Sequence, residues 1–122
     1  MGVKVTGSEW YILECLWQKE PKTLMQIATE LKERQGWARS TCATMLKRME
    51  EKGLITYKGQ GRTKYFYAGI EREEVVKKET KDFLERVYHG SIGMMMSTLV
   101  EKNELSEKDI EELETILEKL KK

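Results

Sequence analysis

The residues with the most chemistry to offer lie in two short stretches. Between Trp37 and Gly53 the chain sets Arg39, Ser40, Thr41, Ala43, Thr44, Lys47 and Arg48 among Cys42, Met45, Leu46 and Met49. On a helix the four apolar residues share one face, leaving hydroxyls, a small methyl and cations on the rest. Hydroxyls and a small methyl permit close approach to base edges and phosphates, while Lys47 and Arg48 can neutralise phosphate. In the second stretch Lys58, Arg62 and Lys64 surround Gly59 and Gly61, a basic, glycine-rich tip able to bring three cations to one polyanionic strand. Catalytic chemistry has far less to stand on. His89 is the sole histidine and sits beside Gly90 at an expected helix end, where a cap or a solvated side chain fits better than a general base. Gly59 and Gly61 lie inside a hairpin, so they form no phosphate loop between a strand and a helix. Cys15 and Cys42 fall within apolar helical patterns and have no CxxC neighbour, which reads as reduced core thiols. No enzyme, cofactor or metal site is expected.

These stretches need elements to position them. Thr6 and Glu9 have the spacing of a capping box, and Trp10, Leu13, Leu16 and Trp17 give the helix that follows a broad apolar face ending before Pro21, the only proline. Leu24, Ile27, Ala28 and Leu31 mark a second amphipathic helix that turns at Gly36. The third helix carries the first stretch and stops at Lys52 and Gly53, glycine supplying the left-handed cap. Residues 54–57 and 63–67 are β-branched and aromatic, predicting a hairpin with residues 58–62 as its tip. Beyond Gly69, helical spacing returns in Val76, Phe83, Leu84, Val87 and Tyr88, then in Ile92, Met95, Met96 and Leu99. A last helix, capped at Ser106, repeats Ile110, Leu113, Leu117 and Leu120 at a/d-like spacing. Three consecutive helices with narrow apolar stripes and no sheet to cover them bury themselves most simply against a second copy.

Composition agrees with this division. With 122 residues, 39% hydrophobic and 35% charged, the chain suits one compact core plus an appendage, and no large enzyme. The net charge of +1 conceals an asymmetry: residues 1–69 hold 12 Lys and Arg against 7 Asp and Glu, net +5, whereas residues 70–122 hold 10 against 14, net −4. A basic first half favours a polyanion such as nucleic acid. No apolar run reaches membrane-spanning length and the start lacks a signal-peptide core, so a cytoplasmic location without a membrane partner is expected.

Helix, helix, turn, helix, hairpin is the order of a winged helix-turn-helix, whose third helix enters the major groove. The expected fold is therefore mainly α: a winged helix-turn-helix of three helices plus a β-hairpin wing over residues 1–70, followed by a helical dimerisation region over residues 71–122. The DNA contacts expected are Arg39, Ser40, Thr41, Thr44, Lys47, Arg48, Arg62 and Lys64. The dimer contacts expected are Phe83, Val87, Ile92, Met96, Leu99, Ile110, Leu113 and Leu117. A winged helix can instead serve as a protein-binding adaptor, with Met94, Met95 and Met96 as an adaptable surface. Binding to DNA that weakens steeply with salt separates the two readings.

Several motifs resemble the penicillinase-repressor family, the BlaI/MecI type of transcriptional regulator. They are Thr6, Ser8, Glu9 and Trp10 with Leu16 and Trp17; Trp37, Thr41, Thr44, Met45, Leu46, Arg48, Lys52 and Gly53; Gly61, Arg62, Tyr65 and Tyr67; and Phe83, Leu84, Tyr88 and Gly90. The match continues through residues 99–106, Asn103 included, and 109–113. The resemblance implies a homodimer that represses transcription by binding a palindromic double-stranded DNA operator, in known members upstream of resistance genes. It also implies that Ser40, Thr41, Thr44 and Arg48 meet the groove and that Arg62 sits at the wing. Two positions depart from the family pattern. Ala38 stands where Ser or Thr commonly caps the third helix, leaving Ser40 or the backbone to serve. In β-lactam-responsive members a receptor-linked protease cuts an Asn-Phe bond, whereas Thr98 and Leu99 occupy the corresponding cleavage position here; a regulatory protease or sensor is the implied further partner. The paired Cys-x-Cys motifs of copper-responsive relatives are missing, since no cysteine follows Cys42.

Overall fold

The computed structural model describes residues 4–102 and 104–121, so residues 1–3, Asn103 and Lys122 lie outside the description. Six helices and one hairpin follow in the order α1 (Gly7–Gln18), α2 (Leu24–Gln35), α3 (Arg39–Glu51), β1 (Ile55–Gln60), β2 (Thr63–Ala68), α4 (Arg72–Tyr88), α5 (Ile92–Glu101) and α6 (Glu107–Leu120). The chain forms two compact units, Met1–Lys78 and Glu79–Lys122, dividing within α4.

In the first unit, α1 to α3 and the hairpin share one core. Thr6 caps α1 with the predicted reciprocal box, and Thr23 makes a second one with Gln26 that begins α2. Ile12, Leu13, Cys15 and Leu16 of α1 meet Ile27, Ala28 and Leu31 of α2 and Cys42, Leu46 and Met49 of α3, with Leu54, Ile55, Phe66 and Val75 completing the cluster. Each large aliphatic side chain taken from water contributes about 1.5–3 kcal/mol. Trp10 and Trp17, expected on the apolar face, lie at its margin in an edge-on pair 5.4 Å apart. Trp17 Nε1 donates to the Ile70 carbonyl at 2.9 Å. In α4, Val75 enters the core at 3% exposure.

The hairpin differs from expectation at its tip. The tip spans fewer residues than 58–62: antiparallel pairing runs from Ile55 with Ala68 to Gln60 with Thr63, leaving only Gly61 and Arg62 as the turn. Gly61 has φ +63°, and a glycine with positive φ at the first turn position matches the twist of a two-residue hairpin. Lys58 is therefore a strand residue. A third, single-residue strand joins the sheet: Lys22 N–H donates to the Phe66 carbonyl at 3.1 Å and Phe66 N–H donates to that of Lys22 at 2.8 Å. Gly69 closes the far end, its N–H donating to the Leu54 carbonyl at 2.8 Å. A Cβ there would lie 2.9 Å from the Gly53 carbonyl oxygen, so only glycine allows this approach.

One ion pair fixes the C-terminal end of α3. Glu9, 4% exposed, receives Lys52 Nζ at 2.7 and 2.9 Å and Thr6 N–H at 2.9 Å. Burial alone would raise this carboxyl, but Lys52 and the Thr6 amide outweigh it, and the Glu9 pKa falls below the usual value. A carboxyl with a lowered folded pKa stabilises the fold at neutral pH, and that contribution disappears as pH falls through the carboxylate range near about 4.3. Lys52→Met is expected to cost about 1–3 kcal/mol at pH 7 by leaving Glu9 without its cation, and to make the loss of stability below about pH 4.3 shallower. Urea unfolding at pH 7 and pH 3.5 checks both; identical pH dependence in the two proteins would contradict the pair's role.

In the second unit Ser91 and Ser106 cap α5 and α6. Neither helix has a buried residue. Ile92 is 62% exposed and Leu117 54%.

Candidate nucleic-acid interface

The outer side of α3 carries the first predicted stretch intact. With Cys42, Leu46 and Met49 buried, the opposite face presents Ser40, Thr44 and Lys47 at i, i+4, i+7 spacing, with Thr41 and Arg48 along one flank and Ala43 on the other. All six, and Arg39, are exposed. Their chemistry is not uniform. Thr44 Oγ1 donates to the Ser40 carbonyl at 3.0 Å, whereas the Ser40 and Thr41 hydroxyls make no hydrogen bond among the described residues. The first turn of α3 has Ala38 at its N-cap and no side-chain cap bond; Ser40 does not replace the missing hydroxyl.

The wing meets α3 through the sheet. Arg39, Arg62 and Lys64 line one depression of about 310 Å³ together with Thr23, Leu24, Met25 and Phe66. Ala43, Lys47 and Lys64 line a second, of about 320 Å³, which Glu50 and Glu51 close on its acidic side. The structure thus brings Arg39, Lys47, Arg62 and Lys64 together, with Lys64 common to both depressions. The backbone bonds between Lys22 and Phe66 hold β2 against the segment leading into α2, and so fix the wing beside α3. Of the three expected wing cations, two are drawn onto aromatic rings: Lys64 Nζ lies 4.0 Å from the Tyr57 ring centroid and Lys58 Nζ 5.3 Å from that of Tyr67. Arg62, at the turn, alone extends beyond the strands.

Charge pairing sorts the cations further. Lys22 and Arg34 both reach Glu30, at 2.7 and 3.3 Å. The hydrogen bond from Lys22, opposed by burial, holds the Glu30 carboxyl below its usual range. Lys52 is paired with Glu9. Among the described residues Arg39, Lys47, Arg48 and Arg62 make no ion pair, so their charge is free for an external anion. The two cysteines offer no competing chemistry: both are free and buried, and burial, helped by the Glu30 charge, pushes the Cys15 thiol up to about 11. Among the described residues no group of His, Cys, Asp or Glu is arranged to hold a metal ion.

Sequence reasoning missed the Glu9–Lys52 pair, the Lys22 bridge and the exposed Met25 beside Arg39. The capping box located Glu9, but nothing local announces a partner 43 residues away.

Known proteins resemble the chain over nearly its whole length. A family model described as penicillinase repressor matches residues 5–119. The methicillin resistance regulatory protein MecI of Mammaliicoccus sciuri is 29% identical over 116 residues, covering 95% of this chain and 94% of that protein. The penicillinase repressor of Bacillus licheniformis is 26% identical, covering 97% and 92%. Among solved structures, the DNA-binding domain of the repressor BlaI superposes with a TM-score of 0.54 at 21% identity, over 59% of this chain and 88% of that one, a likeness of fold.

Proposed function

The chain belongs to the penicillinase repressor family, and from that premise we propose that this non-enzymatic, DNA-binding transcriptional repressor grips a palindromic operator as a homodimer. Two copies join through residues 71–122 and set two α3 helices into successive major grooves, with half-site centres about 10 or about 20 bp apart. Arg39, Lys47 and Arg48 take phosphates, Ser40, Thr41 and Thr44 face base edges, and Arg62 and Lys64 bring the wing to the flanking strand. The observation that carries this reading is the sorting of charge: among the described residues the cations on α3 and the wing tip make no ion pair, while Lys22, Arg34 and Lys52 are neutralised within the fold.

The dimer contacts proposed are Phe83, Val87, Ile92, Met96, Leu99, Ile110, Leu113 and Leu117. What supports them is exposure: Phe83, Val87, Ile92, Ile110 and Leu117 are each more than 40% accessible in the single chain. Apolar side chains at that density need a cover. A DNA partner implies a cytoplasmic location, and among the described residues no helix is long and apolar enough to cross a membrane. Relief of repression by a regulatory protease at Thr98 and Leu99 would need α5 to unwind first, because both residues lie inside that helix and Thr98 Oγ1 donates to the Met94 carbonyl at 3.2 Å.

The test is a salt series on a duplex recovered from the source genome by selection with the purified chain. Each phosphate contact contributes about 0.9 to the slope of log affinity against log salt. In a dimer, Arg48→Ala and Arg62→Ala are therefore each expected to weaken binding and to flatten that slope by about 2. Unchanged affinity and slope in both variants would remove the site assignment.

A further inference from the structure

Building on the DNA-binding reading above, we propose that Thr44 selects thymine in each half-site by packing its γ-methyl against the thymine 5-methyl, without donating a hydrogen bond to a base. Thr44 lies at the middle of the outward face of α3, one turn from Ser40 and one turn from Lys47 and Arg48. A threonine hydroxyl has a single proton to donate, and at this position it goes to the Ser40 carbonyl at 3.0 Å. Ser40 and Thr41, on the same side of the helix, have no such internal acceptor among the described residues. What Thr44 offers outward is thus a methyl group and the two acceptor lone pairs of a hydroxyl whose proton is already engaged. The neighbouring side chain, Ala43, is small and exposed, so the helix can come close to the base edges at this level. The long cations Lys47 and Arg48 stand one turn further on. In the major groove thymine alone carries a methyl, at C5, and apolar contact with it is how a threonine methyl reads that base.

Two substitutions separate the groups on this side chain. Thr44→Ser keeps the hydroxyl and removes the methyl; Thr44→Val keeps the methyl and removes the hydroxyl. The position is exposed, so both variants should melt close to the parent. The probe is a duplex selected by the full chain from a random-sequence library, then synthesised with each half-site thymine replaced in turn by uracil, which lacks only the 5-methyl. At one thymine in each half-site, uracil is expected to weaken the parent's binding about four-fold, and about fifteen-fold when both half-sites are changed, the effect of losing one buried methyl per site. Thr44→Val keeps that thymine-to-uracil ratio, and Thr44→Ser reduces it to within about two-fold. Uracil tolerated at every position, or half-sites without thymine, overturns the proposal. A ratio kept by Thr44→Ser but lost in Thr44→Val also overturns it, since that pattern assigns recognition to the hydroxyl. Failure to select any preferred duplex would contradict the DNA-binding reading itself, whereas tolerance of uracil contradicts only the role of Thr44.

Discussion

Replacing Leu113 and Leu117 together by Glu is expected to yield a monomer whose operator affinity is lower by about 10²- to 10⁴-fold, the advantage lost when two linked half-site contacts become independent. The expectation rests on α6. Its Ser106 and Asp109 form a reciprocal capping box, yet a 14-residue helix in water draws most of its stability from packing of its apolar face. That face, formed by Ile110, Leu113, Leu117 and Leu120, has no buried member in the single chain, and Leu120 is 76% exposed. Two carboxylates on the stripe would be desolvated without partners in any helix-to-helix interface. Leu113 and Leu117 belong to the second unit, and melting of the first unit is expected to be unaffected. Sedimentation of the variant settles the question, and a persistent dimer would move the interface away from α6.

The second large effect is expected at Arg48. In the proposed operator complex Arg48→Glu sets a carboxylate against a phosphate, and like charges brought together cost several kcal/mol, so operator affinity is expected to fall by about 100-fold or more. Arg48 is exposed and unpaired among the described residues. The folded state therefore loses only the favourable placement of a cation near the C-terminus of α3, about 0.3–1 kcal/mol. Loss of binding with nearly unchanged thermal stability is the expected pair of results. Normal binding would mean that α3 docks with another face.

Most of the architecture could be read from local signals, because helix faces and caps are encoded within a few residues. Thr6 with Glu9, and Ser106 with Asp109, marked two helix starts that the structure reproduces. Gly36 and Gly53, both with positive φ, marked two ends. The order of elements and the family resemblance together supplied the winged helix. Distant partners were not readable. The salt bridge from Glu9 to Lys52 and the bridge from Lys22 to Phe66 join segments whose meeting depends on the whole core. The hairpin itself was legible but its tip is shorter than expected, because Gly59 and Gln60, poor strand formers, pair with Lys64 and Thr63; cross-strand register overrode propensity. In the candidate interface, sequence identified which side chains α3 would expose. It could not show that Lys58 and Lys64 rest on Tyr67 and Tyr57, or that the Thr44 proton is already engaged.

The central claim, a two-fold repressor on a two-fold site, is tested most directly by footprinting. Fragments of the source genome enriched by the purified chain would be footprinted across a range of salt concentrations. Two protected half-sites related by a two-fold axis are expected, with centres about 10 or about 20 bp apart, occupied by two chains, and with protection that fades steeply as salt rises. Absence of any enriched fragment, or one asymmetric footprint insensitive to salt, would contradict it.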